Sequence, residues 1–463
     1  MGDSSAHGGF SDLAARVRGP VLPRGGDGYE EETRGFQTGF HHRAAVVVGA
    51  VDADDVRAAV RFAVEHGMGV AVQSTGHGVT VFDDNSVLVT TGRMDDVTVD
   101  PDARCARIGA GARWERVVER AEPYGLVPPS GSAGHVGVVG YTLAGGMGLL
   151  AREFGYAADH VRAVDVVTAD GELRHVTADS DPDLFWALRG GQGNFGVVTG
   201  LEIALQPVDR IYGGGMFFGS EHAAPLLSFF REWTAGLPEA MTASVGMIGY
   251  PAIPVFPEPL RGRHVVHVRF ATTDLAAGPE LVRPWREVAP PLVDEVGELP
   301  YSRAGSIYRE PDFAHAYDGN NVLLRELDPS ALEAVRELAG AEAPVPCIVD
   351  LRHLGGALAR RPAVDNAVSF REAQYILRVL SPLDDASLAD VRDAHGRLEA
   401  AVAPWTLGRS PNFVYGERDP ADLRSKLYEK TVADRLAAVK AVHDPDNVFR
   451  CGHSAVAPAA ADR

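Results

Sequence analysis

The run Pro129-Ser130-Gly131-Ser132-Ala133-Gly134-His135-Val136-Gly137-Val138-Val139-Gly140-Tyr141-Thr142-Leu143-Ala144-Gly145-Gly146-Met147-Gly148 places seven glycines in twenty residues. Glycine loses more chain entropy on ordering than any other residue. A partly apolar run this rich in it makes sense where backbone passes close to a large flat ligand. Two shorter stretches repeat the pattern. Upstream, Val72-Gln73-Ser74-Thr75-Gly76-His77-Gly78-Val79 follows a strand and holds His77 between two glycines. A loop of such small residues brings backbone N–H groups against a pyrophosphate. Downstream, Arg189-Gly190-Gly191-Gln192-Gly193-Asn194-Phe195-Gly196-Val197-Val198-Thr199 leads into another strand.

Regular structure surrounds these loops. Ala44 to Val48 reads as a strand. Asp52 then caps a helix with a stripe of Val56, Ala59, Val60, Ala63 and Val64, and Gly67 stops it. Gly69 to Gln73 is the strand that feeds the His77 loop. The glycine pattern of a dinucleotide-binding turn is missing between the first strand and its helix, which disfavours NAD. Val161–Thr168 and Glu172–Thr177 form a hairpin across Asp170-Gly171. Asp181–Leu188 is a short helix with Pro182 at its start. From 208 to about 407 the chain is richer in proline and strand-like, and 408–463 holds one helix, Ala421 to Val442. The division is a domain of 1–207 with a lead-in arm at 1–35, an inserted unit of 208–407, and a returning segment of 408–463.

Bulk properties exclude several classes. The chain has 463 residues and a formal net charge of −19, so nucleic acid and anionic membranes are poor partners. Cys105, Cys347 and Cys451 are scattered, with no CxxC pair, which argues against a disulfide framework and a zinc site. No secretory leader is visible, and no apolar stretch nears the roughly 20 residues that span a bilayer. The expectation is a cytoplasmic protein.

With the C-terminal Arg435-Leu436, Lys440 and Asp444-Pro445-Asp446-Asn447-Val448-Phe449, the three glycine stretches resemble the berberine-bridge-enzyme-like FAD-linked oxidases. The resemblance covers roughly residues 40–207 and 405–455. It implies an α+β fold: a two-part FAD-binding domain of the vanillyl-alcohol-oxidase (PCMH) type with an inserted α/β substrate domain, an antiparallel sheet covered by helices. It also implies FAD bonded covalently through His77, with Gln73, Ser74, Thr75, Gly76 and Gly78 around the pyrophosphate. Gly131, Ser132, Val136, Gly137, Gly140, Tyr141, Gly145, Gly146 and Gly148 would line the flavin, and Gly196, Val197 and Val198 would close on it. Many relatives add a second link from a cysteine three residues before the Val-Gly pair. Ala133 stands there, so a single bond is expected, as in the nicotine-oxidase-like branch, although that branch carries a histidine at this place. Val136 fits access of O2 to the flavin.

Relatives often carry a tyrosine two residues before the asparagine that Asn412 matches, but Ser410 occupies that place. Read as a strand, Ser410–Tyr415 points Tyr415 away from Asn412, unless Pro411 breaks the register. Glu372 and Tyr141 are therefore the other catalytic candidates beside Asn412. Glu372 lies on an expected strand, Ala367 to Leu380, whose one face carries Glu372, Gln374, Ile376 and Arg378. Gln374 and Arg378, with His135, are expected on the substrate side. The implied activity is oxidation of a small alcohol, sugar-like, amine or specialised-metabolite substrate by hydride transfer to flavin N5, with O2 reduced to peroxide. An oxidative cyclase or desaturase, or a flavin used only as a scaffold, is the alternative.

Overall fold

A computed structural model describes residues 4–78, 84–384, 386–416 and 418–450; Val79 and Cys451 lie outside them. The apolar run at Ala44–Val48 becomes an interior strand over Val46–Gly49, fully buried, with Ala45 half-buried before it. Four strands form the first sheet, β1 (Val21–Pro23), β2 (Val46–Gly49), β3 (Gly69–Gln73) and β4 (Ser86–Thr90), in the order β1-β2-β4-β3. β2 and β3 both pair parallel with β4, and β1 pairs antiparallel with β2. The crossover helix Ala53–Glu65 starts where Asp52 accepts from the amides of Asp54 and Asp55 and ends before Gly67 at φ 64°. Val64 does not join its apolar stripe: it is 42% exposed, and Phe62 fills the core instead.

The first 35 residues are more than an arm. The helix Ser4–Arg16 places Leu13 in the same core as Val56 and Val60, and β1 closes the sheet edge.

The second sheet is antiparallel: β5 (Val97–Asp100), β6 (Cys105–Gly109), β7 (Val161–Val167), β8 (Leu173–Val176) and β9 (Val197–Ala204), in the order β5-β6-β9-β7-β8. The β7–β8 turn works because Gly171 takes φ 73° and Asp170 accepts from the Thr168 hydroxyl and the Glu172 amide.

The third sheet has nine strands, β10 (Arg210–Gly219), β11 (Met241–Gly249), β12 (His264–Thr272), β13 (Val293–Asp294), β14 (Gly297–Pro300), β15 (Tyr317–Leu324), β16 (Ile348–His353), β17 (Tyr375–Pro382) and β18 (Thr406–Gly408). Its strand pairs are antiparallel, and period-two alternation divides its faces. Val266, Val268, Phe270, Val245, Leu351 and Leu377 pack under the helices Ala223–Thr234, Pro329–Ala339 and Leu388–Val402. His267, Arg269, Ser244, Asp350, Arg352 and Arg378 occupy the other face. An apolar layer thus anchors a polar wall.

Two helices, Pro420–Leu427 and Lys430–His443, replace the single helix expected over Ala421–Val442. The break falls at Tyr428, which is buried and donates its hydroxyl to the Gly190 carbonyl at 3.2 Å. Lys440, fully buried, donates to the carbonyls of Asn194 (2.7 Å) and Phe449 (3.0 Å) and pairs with Asp444. The Val70 amide donates to Val448. No helix among the described residues is long and apolar enough to cross a membrane.

Candidate active site

β3 delivers Ser74–Gly78 into a cavity of about 470 Å³ lined from all three sheets. Gly76 sits at φ 68°, and a Cβ there would lie 2.4 Å from the Cα of Gly35, so glycine alone fits. Gln73 is buried, donates to the Thr33 carbonyl at 3.0 Å and lies 2.6 Å from His42 Nε2. It ties the lead-in segment to the loop.

The His77 ring stacks on Phe36 (4.0 Å between centroids, 8° between planes) with His135 4.9 Å away. Its Nδ1 is 3.0 Å from Thr75 Oγ1. Its Nε2 is buried on the cavity wall with no hydrogen-bond partner. Burial, reinforced by His135, Arg113 and His315, pushes its pKa down to about 3. The ring is therefore neutral across the working pH range. The carbonyl of His77 accepts from the Tyr317 hydroxyl at 3.1 Å, so the substrate-side sheet touches this loop directly.

Thr75 Oγ1 also accepts from the Gly137 amide at 3.2 Å, coupling the His77 loop to the start of the helix Val138–Leu143. Gly131, Ser132, Val136, Gly137, Gly140 and Tyr141 line the cavity with Ser74, Thr75, Gly78, Gly196 and Val198. Gly145, Gly146, Gly148 and Val197 do not: they shape the wall from behind. A Cβ on Gly146 would lie 2.4 Å from the Tyr141 ring, and one on Gly148 would lie 2.8 Å from the Ser130 carbonyl. Val197 is buried in the sheet core. Asn412 clamps this region by accepting from the Gly146 amide at 3.0 Å and donating to the Tyr141 carbonyl at 2.9 Å. The Tyr141 hydroxyl points to the Pro129 carbonyl, 3.4 Å away, and burial holds it well above its ordinary pKa. Tyr141 is a protonated residue of the cavity wall.

Two further expectations fail on geometry. Residues 367–374 are not strand, because β17 begins only at Tyr375. Phe370 takes φ 57°, Arg371 pairs with half-buried Asp159 at 2.6 Å, and the Ala367 amide donates to the Arg189 carbonyl. This anchored loop leaves Glu372 and Gln374 exposed and off the cavity lining; Arg378, within β17, does line it. Nor is Ser410–Tyr415 a strand: Pro411–Phe413 is a turn of 3₁₀ helix. Ser410 is buried against Asn321, whereas Asn412 and Tyr415 both reach the cavity.

Residues 44–177 match the family described as FAD binding domain. The (R)-6-hydroxynicotine oxidase of Paenarthrobacter nicotinovorans is 28% identical over 460 residues, covering 94% of this chain and 96% of that protein. Among solved structures, a xylooligosaccharide oxidase from Myceliophthora thermophila superposes with a TM-score of 0.84 at 21% identity, covering 99% of this chain and 100% of that one. A BBE-like protein of Physcomitrella patens gives 0.80 at 18% identity, with 95% and 97% covered. This chain is an FAD-linked oxidoreductase, and it shares its fold with BBE-like proteins and oligosaccharide oxidases.

The residues present in the oxidoreductase fit FAD. A Cβ on cavity-lining Gly78, Gly140 or Gly193 would meet nothing within 4 Å, so each glycine leaves open space in the cradle. His77 Nε2 and Ser74 Oγ are buried polar atoms without protein partners beside it. Several lining residues went unnoticed in the sequence of the oxidoreductase: Phe36, Tyr308, Tyr317, Arg269, Asp350 and Arg352. The alternating polar positions of His264–Thr272 and Ile348–His353 were the available signal for the last three.

Proposed function

We propose that this FAD-dependent oxidase holds its cofactor by one covalent bond at His77 Nε2 and oxidises a small organic molecule lying against the wall of β12, β16 and β17, with O2 as acceptor. The observation that carries this reading is the neutral His77 ring, whose buried Nε2 on the cavity wall has no partner while Nδ1 faces Thr75. Ala133, in the place of a second link, is buried and has no thiol.

Bound FAD supplies the hydride acceptor and the route for electrons to O2. Gln73–Gly78, Gly131–Gly140, Gly193, Gly196 and Val198 would hold it, and Asn412 keeps the Tyr141–Gly146 turn in place behind it. The nine-stranded sheet faces the substrate and excludes water from it. Tyr415, 8% exposed and on the cavity wall, is placed to donate a hydrogen bond to a substrate oxygen and orient it. Burial raises its pKa, with Arg378 only partly opposing that rise, so the hydroxyl keeps its proton and positions the substrate. His135, stacked on Phe36 at 4.6 Å, completes the rim.

Acid precipitation tests the tether. The parent protein should give a yellow pellet, and His77→Ala should release all its flavin. A parent that also releases its flavin overturns the covalent bond. Photoreduced protein returned to air should reoxidise with one peroxide per flavin; slow reoxidation without peroxide would exclude an oxidase.

A further inference from the structure

On the polar wall, three arginines share one carboxylate. Arg269 (β12), Arg352 (β16) and Arg378 (β17) lie on one sheet face, with Ser244 of β11 paired to both Arg269 and Arg352 and Asp350 paired to Arg378. Arg269 Nη1 is 2.9 Å from Asp350 Oδ1, while Arg352 Nε (2.6 Å) and Arg378 Nη1 (3.3 Å) both meet Oδ2. All four residues line the cavity. One negative charge faces three positive ones.

The neighbouring groups do not balance the excess. Glu310 reaches only to 4.0 Å from Arg352 Nη2 and accepts from Ser132 Oγ at 2.8 Å. Even with it counted, the cluster keeps a positive charge. Arg309, also on the lining, is paired with Glu295. Buried charge is costly unless it is paired, yet Arg352 Nη2 is buried with no hydrogen-bond partner. The site is built to hold these cations in place. Arg269 and Arg352 lie over the Tyr308 ring at 4.6 and 4.7 Å, and Arg378 lies over Phe413 at 3.9 Å. Gly246 leaves room for the first of them, since a Cβ there would be 2.9 Å from Arg269 Nη1.

We propose that this wall is an anion subsite: the substrate carries a carboxylate or similarly shaped anionic group that docks on Arg352 and Arg378, a guanidinium fork being matched to two oxygens. The proposal rests on the reading above that this wall faces the substrate. Docking the anion here would orient the rest of the molecule along the cavity.

Calorimetric titration of the purified protein with benzoate and with isosteric, uncharged benzamide tests it. Benzoate should bind about tenfold tighter or more, the equivalent of about 1.4 kcal/mol. Arg352→Met should bring benzoate to the benzamide level, Arg352→Lys should keep part of the preference, and added salt should weaken benzoate alone. Equal affinities for the two probes, or an unchanged preference in Arg352→Met, overturn the subsite. If the arginines instead serve the reduced flavin, Arg352→Met lowers the flavin potential and leaves benzoate binding intact, which also overturns it. Calorimetry reads the arginines whether or not flavin is retained, so a colourless protein refutes the cofactor reading separately.

Discussion

Replacing Asp350 with asparagine tests how strongly the arginine wall depends on one carboxylate. Asp350 is 6% exposed and meets three guanidiniums at 2.6, 2.9 and 3.3 Å. Burial alone would raise its pKa, but Arg352, Arg269 and Arg378 outweigh that and hold it at about 2, against an ordinary 3.8. That difference corresponds to a preference for the charged form of about 2 kcal/mol. An asparagine keeps the shape, removes the charge and turns a donor towards a guanidinium. Breaking a buried pair while leaving its partners charged costs about 3–5 kcal/mol. Asp350→Asn should therefore lose about 3 kcal/mol in urea unfolding followed by the fluorescence of Trp233 and Trp285, which pack behind the same sheet. Adding Arg269→Met should recover part of that loss, because one stranded cation is removed with the anion. The cycle should show a coupling above about 1 kcal/mol. Stability of Asp350→Asn within about 0.5 kcal/mol of the parent, or strictly additive single changes, would refute the reasoning.

Gly140→Leu should fold normally but purify colourless, since its side chain has free space only where the cofactor belongs; absorbance at the flavin band and circular dichroism check this together. Tyr415→Phe should retain flavin while the rate of its reduction by substrate falls roughly 2–10-fold, the loss of one positioning hydrogen bond of about 0.5–1.5 kcal/mol; stopped-flow reduction with unchanged rates would discard this role. Acid should destabilise the protein early. His353 is held at about 3 and His395 at about 4, each chiefly by burial. Between the ordinary 6.5 and those values the unfolded chain binds more protons than the folded one, so stability is full above pH 6.5 and falls as pH drops towards 3. The loss approaches about 1.4 kcal/mol per histidine per pH unit, and urea midpoints measured from pH 7 to 4 should follow it.

The parts of the site fixed by local chemistry were legible in the sequence. His77 between two glycines, the glycines at 137 and 140, and Asn412 all reach the cavity because short loops and turn residues place them. Glu372 was misplaced because alternation of residue type over Ala367–Leu380 continues through a stretch whose backbone is anchored elsewhere, by Arg371 on Asp159 and Ala367 on Arg189. Tyr415 reaches the cavity for a related reason: Pro411 does break the register, starting a 3₁₀ turn that resets which side each residue faces. The arginine wall depends on register. Arg269, Asp350 and Arg378 meet only once three strands distant in sequence are aligned, and no local pattern states that alignment.

Lys440 and Val448 have a consequence for timing. The Asn194 carbonyl beside the cavity is held by a lysine 246 positions later, and β3, which feeds the His77 loop, is bonded by a residue near the end of the described chain. During synthesis these contacts cannot exist until residue 449 has left the ribosome. The pocket's walls at Asn194 and β3 are thus completed only after this distant segment has folded back onto them.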